Sequence, residues 1–404
     1  MRIGRRELLG ALAGTGLSAS IAPVRLALAG SATGDAAAQA PRLVLVLLRG
    51  GVDGLSMVPA WGDPHFEAAR AGVAVPAPGE RDGARDLDGY FSLHPTLEKL
   101  HQRWQEGDLA VVHAHCIPYR DRSHFEAQNV LEHGGTTPYS LTTGWLNRAL
   151  SALAELGQDP ETLRAVAVAP AMPLALRGEA PAGSWSPSVL PSPNEDLLDR
   201  LARLYADDEG LARAFEEARL VDGLAGAPQR GGRRQDLSHL CEAAGKFLAA
   251  PEGPRVAVLE SAGWDTHSAQ ERRGGTLYRQ FTQLDAGLEL LRISLGKAWA
   301  RTAVLVLTEF GRTVAMNGAA GTDHGTGGAG LLLGGAVRGK RVHADWPGLS
   351  RAALHEGRDL RPTLDTRALL KGLLIEHLGV PSSRVETKVF PGSPAVKALR
   401  RLIV

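Results

Sequence analysis

The stretch Arg301–Gly335 reads RTAVLVLTEFGRTVAMNGAAGTDHGTGGAGLLLGG. It opens on an apolar, β-branched run, Ala303–Thr308, and breaks into Glu309, Phe310, Gly311 and Arg312. A glycine-rich loop follows, carrying Asp323 and His324 ahead of a second apolar run, Gly330–Gly334. Carboxylates and a histidine at the carboxyl end of a buried strand stand where an open α/β sheet places its chemistry.

Similar strand ends recur along the chain. Leu43–Leu48, LVLVLL, is apolar at every position, as a parallel strand covered on both faces must be. It leads into Arg49-Gly50-Gly51-Val52-Asp53-Gly54, where Asp53 reads equally as a turn residue or a site residue. Leu109–His113 is a second strand, running into a loop crowded with His113, His115 and His124. Val256–Leu259 is another, followed by Glu260–His267. Asp265 and His267 are two apart, so in an extended segment they point the same way. Residues 166–169 form a short strand, and 72–92 and 178–194 read as loops.

Helices alternate with these strands. Helical spacing of apolar residues predicts helices over 94–106, 145–156, 194–220, 234–249 and 277–295. Asp365 caps a last one over 366–378. Ser123 with Glu126 reads as an S-x-x-E capping box that opens a helix closed by Gly134. A hydroxyl at that place also feels the positive end of the helix dipole, where an oxyanion is stabilised. The alternation predicts a doubly wound, largely parallel sheet with helices on both faces. Residues 41–404 are expected to form one α/β domain, with a helical insertion at about 194–250 that includes a flexible linker over 223–232.

Composition narrows the function. The 404 residues are 44% hydrophobic and 22% charged, which suits a globular chain. A formal net charge of +1 and 5% aromatics give no case for nucleic acid or an anionic membrane. Arg5 and Arg6 precede a weakly apolar run, Leu8–Leu28, and Ala27-Leu28-Ala29 resembles a cleavage site. Residues 1–29 are therefore expected to be a twin-arginine signal, read by the twin-arginine translocase, with 30–40 as a spacer. That places the mature chain in the periplasm or outside the cell, with no transmembrane segment. Cys116 and Cys241 make no disulfide framework, although one bridge stays open.

Four strand ends now carry polar groups: Asp53; Ser123 with its histidines; Asp265 with His267; and Glu309 with Asp323 and His324. Hard carboxylate oxygens with imidazole nitrogens suit zinc, manganese or a related divalent ion. One or two such ions beside a serine at a helix start would clamp a phosphoryl or sulfuryl group.

The motifs RSHFEAQ at 122–128, GWDTH at 263–267, TEFGR at 308–312, TDHG at 322–325 and RGGVDG at 49–54 resemble those of a bacterial family of exported proteins, domain of unknown function family 1501. That family is grouped with the alkaline phosphatase-like superfamily of sulfatases and phosphatases. The resemblance implies that Asp53, Asp265, His267, Glu309 and His324 hold metal and that Ser123 is the nucleophile; Asp323 is a further candidate ligand beside His324. Arg122, Arg312 and His124 would bind substrate oxyanions. The superfamily separates the first Asp and His by three residues, whereas one intervenes here. It follows a later strand with Asp-His, whereas Glu309-Phe310 stands here, so a histidine ligand is missing unless Asp323 or His124 replaces it.

The expected function is hydrolysis of a small-molecule or glycan phosphate or sulfate ester. Two other readings stay open. Cys116-Ile-Pro118-Tyr-Arg120 fits the core that sulfatases convert to formylglycine, although Leu-Thr-Gly does not follow it. A non-catalytic binding or scaffold protein would keep the fold with a degenerate metal site.

Overall fold

The structure is a computed structural model that describes residues 40–158, 164–187, 194–225, 236–251, 253–271 and 273–404. The expected signal and nearly all of the spacer lie outside the described residues, as does much of the linker expected over 223–232. Among the described residues, no helix is long and apolar enough to cross a membrane.

Among the described residues, the apolar runs and three short segments form one sheet of nine strands. In chain order they are β1 (Arg42–Arg49), β2 (Leu109–Cys116), β3 (Ala165–Val168), β4 (Ala182–Trp185), β5 (Val256–Ala262), β6 (Thr302–Thr308), β7 (Gly328–Leu333), β8 (Arg341–His343) and β9 (Leu364–Asp365). Their spatial order is β8-β2-β7-β6-β1-β5-β3-β4, with β9 also on β2. Every pairing is parallel except those of β7, which runs antiparallel to both β6 and β2. Its connection differs in kind: β7 follows β6 through the glycine-rich loop over 309–327 and not through a helix, whereas parallel neighbours are usually joined by a helical crossover.

Alternation along β1 shows how both faces are covered. Val44, Val46 and Leu48 join one apolar cluster, and Leu43, Leu45 and Leu47 join the other. On the first face pack α1 (Glu98–Glu106), α6 (Leu237–Ala249) and α7 (Thr276–Leu295); on the second pack α2 (His124–His133), α3 (Trp145–Ala154) and α8 (Thr366–Glu376). This is the helices-on-both-faces α/β architecture. Between α3 and α6 come α4 (Glu195–Tyr205) and α5 (Glu209–Ala225), and α4 buries none of its residues. By contrast α6, expected as part of an insertion, puts Leu240, Ala244, Phe247 and Leu248 into the core.

Several local expectations are corrected. Strand β2 extends three residues past His113, with a bulge at Ala114, whose φ is 53°. His113 and His115 are therefore buried strand residues and not loop residues. His113 Nε2 lies 3.0 Å from the Val58 carbonyl and His115 Nδ1 lies 3.0 Å from Thr366 Oγ1. Burial holds both imidazoles neutral, with pKa values lowered to about 4. The 178–194 loop contains β4. Helix α1 begins at Glu98, after a turn over 94–97, and Gly107 ends it at φ 91°. The capping box does not form: Ser123 is the N-cap of α2 but makes no side-chain cap bond, and Glu126 accepts from the Tyr119 hydroxyl instead. Both cysteines are free and buried, on opposite faces of the sheet, so no bridge joins them.

Candidate metal centre

The register of the parallel strands brings the polar groups together. Leu48 of β1 is level with Thr308 of β6, and Arg49 with Ala262 of β5, so the three chains leave the sheet side by side. Gly50, at φ +123°, makes the close approach possible: a Cβ there would stand 2.6 Å from the Asp265 amide nitrogen. Its own N–H donates to Glu309 Oε1 at 2.8 Å. The glycine-rich loop folds back so that His324 bridges Arg312 and faces the start of α2.

Three histidines meet there, and each has its Nδ1 fixed by an acceptor. His124 Nδ1 lies 2.7 Å from Glu309 Oε1, His267 Nδ1 lies 3.1 Å from Asp323 Oδ1, and His324 Nδ1 lies 2.9 Å from the Arg122 carbonyl. A carboxylate or carbonyl opposite Nδ1 requires the proton on that nitrogen, which leaves each Nε2 with a bare lone pair. Those lone pairs converge. His324 Nε2 is 3.0 Å from His124 Nε2 and 3.1 Å from His267 Nε2. Asp265 completes the group: Oδ1 lies 2.9 Å from His267 Nε2 and 3.3 Å from His324 Nε2, and Oδ2 lies 3.5 Å from His124 Nε2.

Acceptor facing acceptor at these distances requires a cation or an added proton between them. The donor set fits a divalent metal ion. Four ligands at zinc-like bond lengths in a tetrahedron stand roughly 3.4 Å apart, close to the spacings seen here. Among the described residues, His124, Asp265 and His324 present ligand atoms all within 4.8 Å of one another, and His267 Nε2 meets His324 and Asp265 from the edge of that group. Glu309 and Asp323 stand behind His124 and His267 as carboxylates that orient ligand rings, the usual outer layer of a histidine metal site.

The electrostatics follow from these contacts. Glu309 is buried, which alone would raise its pKa, but hydrogen bonds from His124, Gln128 at 3.0 Å and the Gly50 amide hold it below the ordinary range. Burial also opposes charge on His124, yet Glu309 outweighs it and raises that pKa. His324 is lowered by burial and by repulsion from His124. Asp265 is kept ionised, against partial burial, by the buried guanidinium of Arg312. The Phe310 ring, with its centroid 4.8 Å from that of His124 and 5.3 Å from that of His324, covers the cluster from the apolar side.

The remaining expected residues take other places. Asp53 is buried and bound entirely by protein. Oδ1 accepts from the Leu55 and Ser56 amides, and Oδ2 from Arg70 at 2.7 Å and from Gln270. It is linked to the cluster at a distance, through the chain Gln270, Thr322, Arg312 and Asp265. Arg122 has φ 60° and turns its guanidinium to the buried Asp359 and to Glu356, while its carbonyl serves His324. Arg312 is engaged by Asp265 and by Thr322. Ser123 adjoins His124 in sequence, and its hydroxyl neighbours the Tyr119 phenol. Cys116 is buried at the end of β2; burial raises its thiol pKa to about 11, against the nearby Arg120.

Sequence reading passed over Gln128, Arg70, Gln270 and Arg358. Gln128 was accessible, since it lies four residues after His124 on one helix face. Arg70 and Gln270 carry no local motif and meet Asp53 only through the fold. Arg358 donates to the His324 carbonyl at 2.8 Å, again from a distant loop.

Residues 111–389 match the family described as protein of unknown function (DUF1501), and the chain belongs to that family. Among curated proteins no match is found. The fold is similar to several solved structures at low identity. Ps i-CgsB in complex with k-i-k-neocarrahexaose is 10% identical, with a TM-score of 0.39 over 89% of this chain and 77% of that one. The C-terminal periplasmic domain of EcEptC from Escherichia coli, in complex with Zn, is 11% identical, with a TM-score of 0.31 over 74% of each chain. The phosphonate monoester hydrolase of Agrobacterium radiobacter is 11% identical, with a TM-score of 0.38 over 84% of this chain and 74% of that one.

Proposed function

We propose that the chain is an exported, metal-dependent hydrolase of phosphate or sulfate esters that holds one divalent ion on His124, Asp265, His267 and His324. The observation that carries this reading is the convergence of three imidazole Nε2 lone pairs on one carboxylate, each ring held in that tautomer from behind. When bound, a divalent ion there supplies Lewis acidity toward an ester's oxygens.

The chain's own residues do the rest. Glu309 and Asp323 keep the Nδ1 protons of His124 and His267 in place, and the Arg122 carbonyl does so for His324. Arg312 keeps Asp265 anionic, so the site has no protonated carboxyl to compete with the ion. Phe310 excludes water from one side of the rings, which strengthens every charge interaction there. Ser123, at the amino end of a ten-residue helix beside His124, is the nucleophile in this reading. The motifs shared with the DUF1501 family and their likeness to the alkaline phosphatase-like superfamily support the reaction class. The Arg5-Arg6 leader supports export, tested by whether Arg5→Lys with Arg6→Lys retains the chain in the cytoplasm.

Asp53 argues for one ion over two. Its carboxylate already has a full cation, Arg70, and two amide donors. The test of the reaction is turnover of aryl phosphates and aryl sulfates by the mature chain supplied with zinc or manganese. Turnover that depends on the metal and vanishes in Ser123→Ala supports the proposal. No turnover of either ester class with metal bound leaves the site a binding site only.

A further inference from the structure

A cavity of about 600 Å³ opens beside the histidine cluster. Asp323, which accepts from His267 Nδ1, forms one of its walls, so the cavity adjoins the proposed reaction centre behind the His267 ring. A space of this size suits a small molecule and not a folded partner.

The apolar part of its lining is aliphatic, including Ala69, Val314, Met316, Leu349 and Leu354, with no Phe, Tyr or Trp among the described residues. Two of the uncharged polar side chains of the lining, Asn317 and Thr313, are taken up by the protein itself. Asn317 donates to Asp323 and the His267 carbonyl, and its Oδ1 accepts from the amides of Ala319 and Gly321. Thr313 Oγ1 donates to the Ala315 carbonyl and accepts from the Asp323 amide. A polyhydroxylated body placed here would leave hydroxyls without partners, which is costly.

The charged lining among the described residues is two arginines, Arg351 and Arg358, against Asp323. Asp323 is itself taken up by Asn317 and His267. Arg358 points at the site, donating to the His324 carbonyl. Arg351 is exposed and has no side-chain hydrogen bond or ion pair among the described residues.

We propose that this cavity takes the body of the substrate, and that the substrate is a hydroxyl-poor, aliphatic ester carrying a second anionic group that meets Arg351. The assignment of the ester group to the histidine cluster rests on the function proposed above; the assignment of the body rests on the cavity alone.

The test is isothermal titration of the full mature chain, zinc-loaded and metal-stripped, with 6-(phosphonooxy)hexanoate, hexyl phosphate, glucose 6-phosphate and adipate. The zinc-loaded chain should bind 6-(phosphonooxy)hexanoate about tenfold tighter than hexyl phosphate, and Arg351→Ala should remove that margin. Glucose 6-phosphate should bind most weakly. Met316→Trp, which narrows the aliphatic wall, should weaken both alkyl ligands while the far-ultraviolet circular dichroism stays unchanged. Adipate has no ester group, so its binding to the metal-stripped chain reads the cavity even where the metal reading fails; Arg351→Ala should weaken it about tenfold. Equal or tighter binding of glucose 6-phosphate, or alkyl binding indifferent to both substitutions, would overturn the proposal. So would a metal-stripped chain that does not bind adipate.

Discussion

Asp53 and Asp265 follow adjacent strands, β1 and β5, and are linked by one hydrogen-bonded chain, yet their surroundings are opposite in kind. Around Asp53 every acceptor has a donor: a buried guanidinium, a carboxamide and two backbone amides. Around Asp265 acceptors face acceptors, with one guanidinium behind and three imidazole lone pairs in front. The first region is complete as protein. The second leaves acceptors facing one another that a cation or an added proton would bridge. Strand-end carboxylates that look alike in sequence thus differ in what surrounds them: each meets an arginine, but protein donors complete Asp53, whereas three imidazoles are left facing Asp265.

The sharpest way to break this contrast is to remove the arginine. Arg70→Met leaves the Asp53 charge buried without its partner and should cost about 3–5 kcal/mol of stability by denaturant unfolding. Asp265→Asn, at a half-exposed position with water available, should cost well under half of that. Equal losses would mean that the two carboxylates do the same work.

The next effect is metal-linked. Zinc at about a hundredfold its dissociation constant should stabilise the chain by about 2.7 kcal/mol, seen as a rise in the thermal midpoint. His324→Ala should abolish that rise, whereas Asp53→Asn should keep most of it. A smaller effect is acid sensitivity. Arg70 and the amide donors hold the folded-state pKa of Asp53 below its ordinary value, against the opposing effect of burial. A depressed carboxylate contributes stability at neutral pH that is lost as the pH falls through the unfolded and then the folded value. Metal-free protein should therefore weaken below about pH 4, and Asp53→Asn should flatten that limb of the stability curve.

The smallest effect concerns Ser123. Because its side chain makes no cap bond, Ser123→Ala should change stability by no more than about 0.5 kcal/mol, where a capping serine would cost about 1 kcal/mol. Loss of metal-dependent turnover with stability intact would separate its chemical role from its structural one.

Much of the fold was legible because hydrophobic period reports local burial. The uniformly apolar LVLVLL of 43–48 and the helical spacing over 277–295 each specify an element with little ambiguity. The direction of β7 was not legible, since an apolar run has no polarity; only the helix-free connection before it, over 309–327, carries that information. The 113–116 segment misled because polar histidines suggest a loop, whereas Val58 and Thr366, far away in sequence, satisfy them inside a strand. In the site, Asp265, His267, Glu309, Asp323 and His324 stood out as polar groups at strand ends. Which of them present lone pairs and which stand behind was not legible. That order depends on distances between loops 200 residues apart, as between His124 and His324. For the same reason His124 read as a substrate group, although its Nε2 faces the same point as the others.

The most direct test is the metal content of the purified mature chain, measured by inductively coupled plasma mass spectrometry after equilibration with zinc and gel filtration. One ion per chain in the wild type and in Asp53→Asn, with none in His324→Ala or Asp265→Ala of unchanged circular dichroism, is the predicted result. No stoichiometric ion in the wild type, or an ion that persists in both His324→Ala and Asp265→Ala, would contradict the account.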